Sequence, residues 1–150
     1  MSEIDDALEF FAQGYGCSQA VLAAYAPALG LDLRQAMRLS APFSAPLCPD
    51  GLCGALSGAL MVLSQARGAA DCLSAAARSE LRAFTDELSD GFRDRFGSIV
   101  CRDIVGADLR TAAGMAQARE GGLITARCTP ALRGAVELLA DLLARSAGES

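Results

Sequence analysis

The stretch CPDGLCGALSGALMVLSQARG, Cys48–Gly68, decides the reading of the fold. From Cys53 it runs as an almost wholly apolar helical segment, entered through a Pro-Asp-Gly turn and closed by Gly68. The longest apolar run, around Leu60, falls well short of the roughly 20 residues needed to cross a bilayer. The segment is therefore predicted to be buried in protein. Gly54 and Gly58, four apart, share a helix face and are predicted to mark close packing against another backbone. A packed helix needs no thiol at its first turn, yet Cys48 and Cys53 flank the turn that leads into this one.

Helix signals continue outward in both directions. In SEIDDALEFFAQG, Ile4, Leu8 and Phe11 share a face and Gly14 is a stop. CSQAVLAAYAPALG places Cys17, Ala20, Val21, Ala24 and Tyr25 at helical spacing, with Pro27 predicted to shorten or kink the helix before Gly30. LDLRQAMRLS opens on Asp32, with Gln35 three residues on in a capping-box pattern. APFSAPLCPDG is predicted as a loop, because Pro42, Pro46 and Pro49 each oppose helix.

A long helix is predicted from about Ala70 to Phe96, with Leu73, Ala77, Leu81, Phe84, Leu88 and Phe92 as its inner stripe. CRDIVG reads as one helical turn ended by Gly106. The next helix is expected to be capped by Asp108 and stopped by Gly121-Gly122. The last has Thr129 as N-cap and Pro130 at its first position. Residues 146–150, SAGES, are expected to form a disordered tail. No strand pattern or repeat is evident. The expected fold is all-α, a compact bundle of six to eight helices.

Composition narrows the function. Fifty-two percent of the 150 residues are hydrophobic, enough for a real core. The net charge is −5, every basic residue is Arg, and none cluster, which argues against nucleic acid as a partner. The N-terminus, MSEIDDALEFF, is acidic and has no long apolar region, so no signal peptide and no direct membrane insertion are predicted. The location expected is cytoplasmic, where six cysteines suit ligands or redox thiols better than a permanent disulfide framework. With no His, imidazole ligation and haem attachment of the C-x-x-C-H type are excluded.

The cysteines sort by phase. Cys17, Cys53, Cys101 and Cys128 are each followed by apolar residues three, four, seven or eight positions on, as far as each helix lasts. Residues at those intervals share one face. Each of the four is thus predicted to start a helix on its inward side, and four such thiols can converge on one site in the core. Cys72 is followed by Ser79 and Glu80 at seven and eight and is read as a bystander. Cys48 lies in the proline loop, five residues from Cys53, where both can reach one site.

A helix start favours an anion by about 0.3–1 kcal/mol, which lowers a thiol pKa by less than about one unit. Most of the thiol then stays protonated at neutral pH, with Arg102 and Arg127 able to assist if they turn inward. Thiolates gathered at low dielectric repel one another. A metal centre, oxidation to disulfides or protonation must neutralise them. Each cysteine taken alone also fits a packing role, since free Cys is among the most buried residue types.

These residues resemble a known family, the redox-active proteins named for a C…GCAxxG…C…C cysteine pattern. GCSQAVLAAYAPALGLD is similar to the family's opening cysteine helix and GLCGALSGALMVLSQARG to its signature segment. RFGSIVCRDIVGADL and GGLITARCTPALRGAVELLADLL resemble the segments holding the third and fourth cysteines. The resemblance spans nearly the whole chain, implying a single redox domain over 1–150. It carries the family cysteines onto Cys17, Cys53, Cys101 and Cys128. Where relatives tend to have a glycine-rich loop, this chain has SAPLCPDG and the additional Cys48.

The resemblance implies redox activity. Members are often encoded near transporter genes, and a related module accompanies the haems of split-Soret cytochromes, where it is associated with an iron–sulfur centre. The leading expectation is that Cys17, Cys53, Cys101 and Cys128 bind an iron–sulfur cluster, in first place [2Fe–2S], for electron transfer. Cys48 is a candidate fifth ligand.

The alternatives are a thiol–disulfide protein using Cys48 and Cys53, and a metal-binding accessory of a transporter, with zinc as the ion. A purely structural helical module is the last. The redox partner is unknown, a membrane transporter system being one candidate, and the apolar signature helix leaves room for a homodimer.

Overall fold

Apolar periodicity and local caps set the helices. A computed structural model describes residues 2–48, 51–68 and 74–147. Among them are eight α-helices: α1 Glu3–Ala12, α2 Cys17–Leu29, α3 Leu33–Ser40, α4 Gly54–Arg67, α5 Ala75–Phe96, α6 Cys101–Val105, α7 Ala112–Glu120 and α8 Thr129–Ala147. The all-α expectation holds. Ser2 caps α1 in a reciprocal box with Asp5, and Asp32 caps α3 by accepting the Gln35 N–H at 2.9 Å. Ser74 caps α5, and Gly30, Gly97 and Gly106 end α2, α5 and α6 in the left-handed conformation.

At the centre, α2 lies along α4, its most extensive helix neighbour. Gly58 makes the approach possible: a Cβ there would stand 2.8 Å from the Ser18 carbonyl oxygen and 2.9 Å from the Val21 Cβ. One turn earlier, a Cβ on Gly54 would meet the Cys17 Cβ at 3.0 Å and the Ser44 Cβ at 2.9 Å. The two glycines of the signature segment thus seat α4 on the start of α2. On its other side α4 meets α5 and α8. Leu56, Leu63, Leu88, Phe92, Leu132 and Leu139 are fully enclosed in the core so formed. On the inner stripe of α5, Leu88 and Phe92 are buried while Ala77, Leu81 and Phe84 are half-buried.

Four local expectations are corrected. Pro27 does not shorten α2: it sits exposed in the last turn, and the helix runs on past it to Leu29. Asp108 does not cap α7, because its carboxylate accepts the Arg110 N–H and guanidinium. Thr111 is the cap instead, accepting the Gly114 N–H at 2.9 Å.

Thr129 is not an N-cap, since its backbone is already helical and a π-helical turn, Ile124–Cys128, feeds directly into α8. Pro130 gives the reason: its ring crowds the carbonyl four residues back, at Ala126, and the widened turn accommodates it. Ser146 and Ala147, expected in the tail, belong to α8, and Ser146 Oγ accepts from Arg67 Nε at 2.8 Å. The tail residues 148–150, the Ala70–Leu73 start expected for α5, and Cys72 lie outside the described residues.

One pairing had no sequence signal. Leu52 and Val100 form an isolated antiparallel bridge, flanked by Cys53 N–H to Ile99 O at 2.8 Å and Cys101 N–H to Gly51 O at 2.5 Å. It ties the segment before α4 to the segment before α6.

Gly58→Ala tests the central contact. Alanine gains about 0.5–1 kcal/mol in intrinsic helix preference. The atoms its Cβ meets include α2 backbone, which cannot yield, and overpacking costs about 1–3 kcal/mol. A lower urea midpoint is expected; a midpoint at or above the parent's contradicts the contact.

Candidate redox site

Each thiol is delivered by a different device. Cys17 is the first residue of α2 and Cys53 stands at the N-cap position of α4. Cys101 opens α6, and Cys128 closes the π-helical turn ahead of α8. Three therefore stand at helix starts as expected, and the fourth stands within a continuous helical run. All four line one cavity of about 800 Å³. Cys48, Cys53 and Cys128 are buried, Cys17 and Cys101 half-buried, and the five described cysteines are free thiols.

The cavity sits where two hydrophobic clusters meet. Cys17 and Cys53 belong to the main core with Val21 and Leu56, whereas Cys101 and Cys128 belong to a smaller cluster with Val105, Leu109 and Ala118. The thiols are divided two and two between these bodies. Cys48 lines a small crevice beside Cys101, together with Arg102, Asp108 and Arg110.

The electrostatics favour protonated thiols. Burial pushes Cys17 well above its ordinary value, and the neighbouring Cys53, Cys128 and Cys101 raise it further. Its residual exposure is to the protein-walled cavity, so a half-buried thiol still behaves as a desolvated one. Burial, then Cys53 and Cys128, push Cys101 up to about 12; burial and Cys53 push Cys128 up to about 11. Cys53 is raised by burial as well, although the backbone N–H groups of Leu56 and Ala55 at the start of α4 act in the opposite sense. The small lowering expected from a helix start is present at Cys53 and is outweighed.

Arg102 and Arg127 are exposed, and neither lines the main cavity. Among the described residues, the cation on its wall is Arg119, which the sequence reading missed. Its signal was the i, i+4 spacing from Met115, which puts both on one face of α7.

The donor set is soft: four thiols and the Met115 thioether, with no carboxylate among the described residues of the cavity wall. Among the described residues, no three cysteine or carboxylate side chains are grouped closely enough to hold a single metal ion. No described helix is long and apolar enough to cross a membrane.

Fold and site together define an all-helical protein with a thiol-lined internal cavity. The model of the family described as "Putative redox-active protein (C_GCAxxG_C_C)" matches residues 15–142, and the chain belongs to that family. No curated protein and no solved structure matches it significantly.

Raised thiol pKa values have a measurable sign. The folded state favours the neutral thiol, so this contribution to stability is complete below the ordinary value of 9.0 and is lost as pH rises towards 11–12. Only the thiolate is alkylated, so labelling of Cys101 and Cys128 by iodoacetamide should climb about tenfold per pH unit from pH 8 to about 10. A plateau near pH 9 at either residue contradicts the shift.

Proposed function

We propose that the chain is an electron-transfer protein whose redox site is the four-thiol wall formed by Cys17, Cys53, Cys101 and Cys128, holding an iron–sulfur cluster. One observation carries the reading: four thiols from four separate elements line a single cavity that has no carboxylate among its described residues. A zinc site needs its ligands around one ion, and no group of three is assembled for that among the described residues. An iron–sulfur cluster spreads its thiolates over several irons. The two-and-two division of the thiols between hydrophobic clusters suits [2Fe–2S], which takes two at each iron. When bound, such a cluster supplies a one-electron carrier. The chain's part is to provide four sulfurs, exclude water with apolar walls, and release the thiol protons on loading, so that binding strengthens as pH rises.

Protein isolated anaerobically is expected to contain iron and acid-labile sulfide, with a visible charge-transfer spectrum and an EPR signal on reduction. Single Cys→Ser changes at 17, 53, 101 or 128 should lower the iron content at least severalfold, while Cys48→Ser should leave it intact. Iron-free protein from an anaerobic source sinks the proposal.

A second reading has its own observation. Cys48 stands near enough to Cys53 and Cys101 to raise both, which supports disulfide exchange between Cys48 and one of them. Alkylation and mass spectrometry across a redox titration should then show a two-electron couple that disappears in Cys48→Ser. An unchanged titration in that variant removes this reading.

A further inference from the structure

The four sulfurs account for only part of the cavity. At about 800 Å³ it lies within the size range of sites for small organic molecules and exceeds what an inorganic cluster of a few atoms fills. The rest of its wall is largely apolar, with Phe11, Leu47, Leu109, Met115 and Ile124 among the contributors. Among the described residues its only charged side chain is Arg119. The chain carries 18 Asp and Glu against 13 Arg, yet among the described residues no carboxylate lines this space. Arg119 is exposed, which puts it towards the mouth, and it has no acidic partner among the described residues.

A guanidinium at the entrance of an apolar chamber selects one kind of molecule. The planar fork pairs with a carboxylate, phosphate or sulfonate, and the walls take an apolar body. We propose that the cavity is a binding site for a small organic anion, its charged group held by Arg119 and its apolar part lying inside beside the thiols. This goes beyond the redox reading and stands on the cavity alone, whatever the sulfurs hold. It would place an organic molecule next to the thiol wall.

The test uses the purified full-length chain and two fluorescent probes of similar shape. One is 8-anilinonaphthalene-1-sulfonate, an apolar body with one negative charge; the other is the neutral N-phenyl-1-naphthylamine. The sulfonate is expected to bind saturably, one per chain. Arg119→Gln should weaken it by about tenfold or more, the loss of a charged hydrogen bond, while the neutral probe changes by less than about twofold. Arg119→Lys should fall between.

Ala12→Trp, an exposed position on the cavity wall, should weaken both probes. Circular dichroism on each variant checks that the fold is retained. Sulfonate binding indifferent to Arg119→Gln overturns the proposal. So does binding of both probes that Ala12→Trp leaves unchanged, which assigns them to the exposed apolar residues Leu33, Leu39 and Phe43 instead. Iron and sulfide measured on the same samples report on the redox reading separately.

Discussion

The backbone of α4 touches the backbone of α2, and the arrangement of the site depends on that contact. Without a Cβ at Gly54 and Gly58 the two helices approach to a distance that any other residue forbids. Gly54 stands directly against Cys17, and Cys53 is the residue before it, so one contact sets both thiols of the main core. From there the Leu52–Val100 bridge carries the order to Cys101, since its flanking hydrogen bonds use the Cys53 and Cys101 N–H groups themselves. Cys128 is set independently, by a π-helical turn that absorbs Pro130.

The charge state follows from the same geometry. Two like charges about 4 Å apart repel by about 4 kcal/mol at an effective dielectric of 20. Helix starts return only about 0.3–1 kcal/mol each, so four thiolates cannot be sustained by backbone dipoles alone. The fold keeps the thiols neutral by burial, and a charged state calls for a compensating centre. Thiols held neutral in this way are weak nucleophiles at neutral pH. That behaviour fits a binding site for a redox centre better than a standing nucleophile, because nucleophilic cysteines have their pKa lowered.

The cavity lies between two hydrophobic clusters of unequal size. The main core, built on α2, α4, α5 and α8, is continuous. The small cluster around Val105, Leu109 and Ala118 is separate from it and carries Cys101 and Cys128. Apolar clusters of that size contribute far less stability than a main core, since burial scales with area. Phe11 packs against both clusters and lines the cavity between them.

The helices were legible in the sequence because their signals are local. Cys17, Cys53, Cys101 and Cys128 were found by phase, as each precedes apolar residues at three- and four-residue intervals, and the buried stripe through Leu88 and Phe92 was read the same way. The sequence also marked Gly54 and Gly58 as a contact, since glycine four apart in a buried helix has little other use. What it could not assign was the partner. That α4 meets α2, that Leu52 pairs with Val100, that Arg119 rather than Arg102 or Arg127 faces the cavity, and that Cys48 stands beside Cys101 all join residues distant along the chain. Periodicity states which face of a helix turns inward. Only the packing of every helix at once decides what that face meets.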